Sequence, residues 1–241
     1  MWTAQGAVGA VRWGFTDVEG GVSAPPYAGL NLGLHVGDDE AHVRENRRRL
    51  AHAWGAGLDR FVFMDQCHGA EVAVIGEPGA PPSVDAVVTA TPGVTLVVMV
   101  ADCVPILLAD EAAGVVGAVH AGRPGMMKGV VGQAISAMRD QGAADLRAWV
   151  GPAVCGRCYE VEAELRAEAA ALVPESATVT WTGTPAIDVP GGVVSQLAAH
   201  GVAIQWLPGC TRERMDLFSH RRHAPTGRWA GLIMLDPERV G

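Results

Sequence analysis

The apolar positions of the chain repeat with two different periods. Between Asp38 and Trp54, Val43, Leu50 and Trp54 recur at helical spacing while Arg44, Arg47 and Arg48 lie among polar positions. The pattern predicts a helix capped by Asp38 or Asp39, with its arginines on a solvated face. From residue 60 to 120 the runs shorten and become β-rich: FVFMD, EVAVIG, DAVVTA, VTLVVMVA, VPILLAD and VVGAVH. These predict adjacent strands of one sheet. Residues 94–101 are apolar apart from Thr95 and do not alternate, as in a strand covered on both faces, so helices are expected to flank the sheet.

Outside that block the pattern predicts a strand over 8–16 and helices over 124–140, 160–173 and 190–200. Further strands are expected near 146–150, 177–181, 202–207 and 228–234. Pro124 suits a first helical turn, where its missing N–H is not needed. Residues 20–39, GGVSAPPYAGLNLGLHVGDD, read as one long Gly/Pro/Asn-rich loop; inside a compact domain such a loop is usually functional or disordered. No linker or internal repeat interrupts the chain, so a single α/β domain over 1–241 with a mixed β-sheet between helices is expected.

Composition narrows the function classes. With 241 residues, 49% of them hydrophobic, the chain can bury a sizeable core. Its longest apolar run ends at Asp102, far short of the roughly 20 residues a membrane helix needs. The opening MWTAQGAVGAVRW lacks the features of a signal peptide, and a cytoplasmic location is expected. A net charge of -8 argues against broad nucleic-acid contact and leaves local arginines free to hold a phosphate. Small-molecule chemistry is therefore favoured.

Five cysteines, Cys67, Cys103, Cys155, Cys158 and Cys210, are an odd number at irregular spacing; in a reducing compartment they point to free thiols, metal ligands or a nucleophile. Three segments place reactive side chains where an apolar strand meets a turn: Gln66-Cys67-His68-Gly69, Ala101-Asp102-Cys103-Val104-Pro105 and Val119-His120-Ala121-Gly122. Two neutral imidazoles and a thiolate, from His68, His120 and Cys103, would give zinc three ligands, a net charge of +1 and an open fourth position. Asp102 beside the proposed thiolate would act as general base, orient a ligand, or simply cap its turn. The ligand spacings of 35 and 17 residues match no short local zinc signature. Cys155-Gly-Arg-Cys158 is a CxxC without a second pair, which disfavours a zinc ribbon; a redox pair or an incidental spacing is expected. The zinc-deaminase His-x-Glu signature is absent, because Ala121 and Gly122 follow His120. Arg47, Arg123, Arg221, Arg222 and Arg228 are candidate donors to a phosphate or carboxylate. Asn31 would donate to a sugar or base, or satisfy its own loop.

Taken together, GGVSAPPYAGLNLGLHVGDD, NRRRL, DQCHGAEV, DAVVTATPGVTLVVMVADCVPILLAD, GAVHAG, GPAVCGRCYEV and the stretch from CT through DLFSHRR to TGR resemble the YfiH-like family. Its members were long described as laccase-domain or multicopper polyphenol oxidase proteins and later as zinc-dependent purine nucleoside phosphorylases. The resemblance, which covers nearly the whole chain, implies a three-layer α/β/α fold related to the cysteine hydrolase domain of a bacterial deamidating toxin, with zinc on His68, Cys103 and His120. It implies phosphorolysis of adenosine, inosine, guanosine and methylthioadenosine to base and pentose 1-phosphate, with adenosine deamination as a companion activity. Some relatives are linked to peptidoglycan editing, which makes a Cys103/His120 amidase the alternative. The family's usual His-Ala-Gly-Trp-Arg-Gly appears here as His120-Ala-Gly-Arg-Pro-Gly125, moving the arginine one place earlier, and Cys67 replaces the usual Val before His68. A copper oxidase is disfavoured: its blue-copper and trinuclear sites need many histidines, whereas this chain has eight and no His-x-His pair. Copper would still compete for a three-ligand zinc site in vitro.

Overall fold

The computed structural model describes residues 1–239. In chain order the elements are β1 (Trp2–Val8), β2 (Val11–Thr16), α1 (Glu40–Trp54), β3 (Phe61–Phe63), β4 (Val72–Val74), β5 (Ala86–Thr89), β6 (Thr95–Val100), β7 (Val104–Asp110), β8 (Val115–Ala121), α2 (Arg123–Lys128), α3 (Val130–Asp140), β9 (Arg147–Val150), α4 (Ala163–Leu172), β10 (Ala177–Val179), β11 (Pro185–Ile187), α5 (Val189–Ala199), β12 (Ala203–Trp206) and β13 (Trp229–Leu235). The fold is mixed α/β with mixed sheets, as expected.

The runs between 60 and 120 divide between two sheets instead of forming one. A five-stranded sheet has the order β1-β2-β13-β6-β3 and a six-stranded sheet the order β12-β9-β7-β8-β5-β4. Alternation along β6 shows why its run is wholly apolar. Leu96, Val98 and Val100 face the interior shared with the second sheet, while Val97 and Met99 pack with Leu50, Ala51 and Trp54 of α1. Strand β8 divides likewise: Val116 and Ala118 join the space between the sheets, and Val115, Val119 and Ala121 pack with Ile135 and Met138 of α3. Helical layers thus lie outside, as anticipated, but the layer between them is a pair of sheets. A β-strand buried by a second sheet and one buried by a helix carry the same apolar signature.

Other boundaries shift for local reasons. The strand expected over 8–16 is the second arm of a hairpin that turns at Gly9 (φ 51°); its first arm, β1, is an edge strand and only partly buried. The helix expected over 124–140 is broken at Gly129, which takes a left-handed φ of 82°. Strand β11 had no counterpart in the sequence pattern. The 20–39 loop is pinned by side chains of α1, above all Asn46. Asn46 donates from Nδ2 to Ser23 Oγ, Gly29 O and Asn31 O at 2.9–3.1 Å and accepts Val22 N–H at 2.8 Å, while Leu30 and Leu32 are buried against the α1 layer.

Two connections matter most for the site. The segment 101–103 carries the chain from β6 in one sheet to β7 in the other, and the loop after β3 makes the same passage to β4. His68 (φ 57°) and Asp102 (φ 92°), which lie in these two crossings, are the non-glycine residues with positive φ among those described. Such conformations cost on the order of 1 kcal/mol or more and persist only where surrounding contacts impose them.

Candidate metal centre and pocket

Both crossings are tied down around their strained residues. Gln66 copies a strand pairing, donating Nε2 to Met99 O at 2.7 Å and accepting Met99 N–H at 2.9 Å, which fixes the approach to His68. Lys128 donates to His68 O at 3.2 Å. On the other crossing, Asp102 Oδ1 accepts Thr211 Oγ1–H at 2.6 Å, Oδ2 accepts Arg221 N–H at 2.7 Å, and its carbonyl accepts Val154 N–H at 3.0 Å.

These turns and the end of β8 bring His68, Cys103 and His120 together, one ligand atom from each lying within 4.8 Å of the others. His68 Nε2 is 3.8 Å from Cys103 Sγ, near the roughly 3.6 Å that nitrogen and sulfur keep on a tetrahedral zinc ion. His120 Nδ1 is bonded to Asp85 Oδ1 at 2.7 Å, which leaves Nε2 as its ligand atom. The donor set and spacing fit zinc. Gly122 is required by the same crowding: a Cβ there would lie 2.8 Å from His68 Cδ2 and 3.0 Å from Cys103 Sγ.

The residue that sequence reasoning missed is Asp85, fully buried at the entry to β5. Its carboxylate accepts His120 Nδ1–H, the backbone N–H of Cys67, His68 and Gly69 at 2.6–3.3 Å, and the Cys67 thiol at 3.1 Å. One carboxylate therefore orients one ligand ring and folds the turn carrying another. The signal available in the sequence was an acidic residue opening an otherwise apolar run, DAVVTA. Cys67 turns toward Asp85, and the hydrogen bond to that carboxylate pushes its thiol pKa up.

The electrostatics of the trio are those of an ion pair held by a carboxylate. Burial alone would raise the Cys103 thiol, but the charge and hydrogen bond of His120, aided by His68, bring it down to about 6. Burial would lower His120, yet the Cys103 thiolate and Asp85 raise it to about 9. For Asp85, burial is opposed by hydrogen bonds from His120, Cys67 and Gly69, which hold it well below the usual carboxylate range.

The cluster opens into a cavity of about 380 Å³, within the range of small-molecule sites. Arg123, Arg221 and Arg228 line it, and none of them is in an ion pair among the described residues. Arg221 lies over the ring of Tyr159 at 4.5 Å. Tyr159, His35 and His220, all pocket-lining, were not singled out in the sequence. Asp102 is at the wall, and among the described residues the Arg123 side chain has one hydrogen-bond partner, Met127 Sδ at 3.9 Å.

Three candidate binding residues are employed elsewhere. Arg222 donates to the carbonyls of Thr211, Arg214 and Leu217 at 2.5–2.7 Å and holds the 211–222 loop together. Asn31 is buried, donating to Asp38 and accepting the N–H of Gly33 and Arg228. Arg47 donates to Leu32 O at 2.9 Å and stacks over Phe63 at 3.8 Å; burial lowers its pKa to about 10. The structure thus corrects these three from cavity residues to supports of the loops around it.

A mixed α/β protein with a two-histidine, one-cysteine centre opening into an arginine-lined cleft is the class defined by these features. Residues 12–236 match the family described as multi-copper polyphenol oxidoreductase laccase, and the chain belongs to that family. It is 54% identical to a Streptomyces griseus protein named purine nucleoside phosphorylase, over 95% of this chain and 96% of that one. It is 49% identical to a Mycobacterium tuberculosis protein of the same name, over 92% and 90%. Among solved structures, Geobacillus stearothermophilus YlmD superposes with a TM-score of 0.87 at 35% identity, covering 94% of this chain and 92% of that one. Bacillus licheniformis YfiH gives 0.87 at 31%, covering 94% and 93%.

Proposed function

We propose that the protein is a zinc-dependent purine nucleoside phosphorylase acting on adenosine, inosine, guanosine and methylthioadenosine, with adenosine deaminase activity at the same site. The observation that carries this reading is the opening of the His68–Cys103–His120 centre onto a cavity lined by three guanidinium groups outside any described ion pair, of which Arg228 also donates to the carbonyls of Thr226 and Gly227. The names of the close relatives support it. The reading makes the chain a single catalytic domain of the cytoplasm with a nucleoside and phosphate as partners, and none of its described helices is long and apolar enough to cross a membrane.

His68, Cys103 and His120 would hold the zinc, which when bound would supply a Lewis acid to a water or to an oxygen or ring nitrogen of the substrate. Arg123, Arg221 and Arg228 present forked donors that bind phosphate and turn one of its oxygens toward ribose C1′. As that oxygen bonds to C1′ the glycosidic C1′–N bond breaks, and the departing purine nitrogen takes up the proton that the attacking phosphate gives up, relayed through Asp102. Asp102 is the proton-transfer residue: each carboxylate oxygen already accepts one hydrogen bond, which fixes its direction, and keeps a second lone pair. Tyr159 and Met99 supply the apolar cover for the base.

The test is a nucleoside panel with and without phosphate, on protein stripped by chelator and reloaded with zinc. Base release that needs phosphate, falls on stripping and returns with zinc supports the reading. Zinc-loaded protein that forms neither base nor inosine from adenosine overturns it.

One observation favours a second reading. Cys103, His120 and Asp85 are arranged as nucleophile, base and orienting carboxylate, with the thiol pKa already lowered, which is the arrangement of a metal-free amidase such as peptidoglycan editing would need. Activity on an amide substrate that survives chelation and is abolished by alkylating Cys103 would select it. A copper oxidase draws support only from the family's description.

A further inference from the structure

A second group of soft ligands lies behind the pocket wall, in segments the proposed reaction does not use. After β9 the chain makes a tight turn in which the N–H groups of Cys158 and Tyr159 both donate to Cys155 O, at 2.9 and 3.1 Å. The 210s make the same turn: Glu213 and Arg214 N–H both donate to Cys210 O, at 3.0 and 2.9 Å. The two turns are zipped together by a parallel bridge between Ala153 and Cys210, with Ala153 N–H on Gly209 O at 3.3 Å and Thr211 N–H on Ala153 O at 3.1 Å. The result is a C-x2-C facing a C-x2-E. Glu213 stands where a zinc ribbon would carry its fourth cysteine, which is why a search for a second CxxC passes over it.

One donor atom from each of Cys155, Cys158, Cys210 and Glu213 lies within 4.8 Å of all the others. Cys158 Sγ is 3.3 Å from Glu213 Oε1, and Cys210 Sγ accepts the backbone N–H of Cys155 at 3.4 Å. The Cys158 and Cys210 side chains are buried with Val154 in a small apolar cluster of their own. Sulfurs on a tetrahedral zinc ion stand about 3.8 Å apart, so small rotations of these side chains close the site.

We propose that Cys155, Cys158, Cys210 and Glu213 form a second metal site, taking zinc as a closed, four-ligand structural centre. Three thiolates and one carboxylate favour a borderline-soft tetrahedral ion over magnesium or calcium, which prefer oxygen ligands. The site would add a side-chain link to two segments already joined by the backbone bridge, and both segments hold the pocket: Thr211, next to Cys210, donates to Asp102 Oδ1, and Val154, next to Cys155, donates to Asp102 O. Zinc there braces the strained turn that presents Cys103. The assignment rests on these four residues alone and is independent of the reaction in the cleft.

The test is zinc content per chain, by elemental analysis of the full-length protein purified under mild reductant without chelator, together with its intact mass under non-reducing conditions. Two zinc ions are expected in the wild type, one in Cys158→Ser, and one in the His68→Ala/His120→Ala double variant. Cobalt loaded into that double variant is expected to give thiolate-to-cobalt charge-transfer absorption, lost when Cys158→Ser is added. Should Cys158→Ser fail to fold, Glu213→Ala, at an exposed position, is expected to lose one zinc under a chelator challenge that the wild type withstands. A wild type holding a single zinc that His68→Ala/His120→Ala removes overturns the proposal. A mass two hydrogens light, with a disulfide mapped within these three cysteines, also overturns it.

Discussion

Asp85 and His120 are joined twice, once through side chains and once through backbone: Asp85 Oδ1 accepts His120 Nδ1–H at 2.7 Å, and Asp85 O accepts His120 N–H at 2.7 Å. The second bond continues the antiparallel ladder of β5 and β8, so the strand register delivers the carboxylate to the ring. Asp85→Asn is expected to lower zinc affinity at His68–Cys103–His120 by about 10- to 100-fold, as loss of a partner that orients a metal-bound histidine typically does. Competition with a zinc chelator measures it, and unchanged affinity would refute the orienting role. Acid stability gives a second readout. Because folding depresses the Asp85 pKa, its stabilisation is present above about pH 4 and is lost as pH falls below that. The variant is expected to lack that part of the acid slope.

Cys103 offers a direct reading of the buried ion pair. In zinc-stripped protein its alkylation rate is expected to rise through a midpoint near pH 6, since the folded pKa of about 6 lies below the ordinary thiol value and the thiolate is the reactive form. His120→Ala removes the first of the groups that lower it and is expected to move the midpoint up. Added zinc is expected to protect the thiol. Mass spectrometry of the Cys103 peptide across pH follows all three, and a midpoint at the ordinary thiol value would refute the thiolate–imidazolium pair.

Gly122→Ala separates the metal centre from the fold. The backbone at Gly122 has φ -77° and ψ 172°, which any residue adopts, so the methyl group introduces no backbone strain. It does meet His68 Cδ2 at 2.8 Å and Cys103 Sγ at 3.0 Å, and two of the three ligands must move. Zinc content is expected to fall while the unfolding midpoint of the stripped protein stays within a few degrees of wild type. Full zinc occupancy with unaltered affinity would show that the neighbours yield without cost.

How much of this was legible varied with what a residue must satisfy. His68, Cys103 and His120 could be picked out because each ends an apolar run at a turn, where a rigid strand hands a side chain to a cleft. Asp85 opens such a run and reads as part of a strand; only the folded register reveals five hydrogen-bond donors converging on it. The division of the strands into two sheets was hidden because Val97 and Val98 look alike in sequence, although one meets α1 and the other the second sheet. Arginines were the least legible. A guanidinium suits a phosphate and a cluster of carbonyls equally well, so Arg222 and Arg123 could not be told apart before their surroundings were known.

That distinction yields opposite expectations for two alanine substitutions. Arg222 binds three loop carbonyls with a partly buried side chain, and Arg222→Ala leaves those acceptors without a donor, so it is expected to cost about 2–4 kcal/mol of folding stability. Arg123 lines the cavity, and its guanidinium hydrogen-bonds only to a methionine sulfur among the described residues. Arg123→Ala is expected to leave the unfolding midpoint nearly unchanged and, under the phosphorolysis reading, to raise KM for phosphate roughly 10-fold or more, the scale of one lost charge-assisted hydrogen bond. Denaturant unfolding of both variants, paired with phosphate titration at saturating nucleoside, measures both effects. If Arg123→Ala unfolds early and leaves KM for phosphate untouched, the arginine braces α2 instead of binding the anion, and Arg221 and Arg228 would have to hold the phosphate without it.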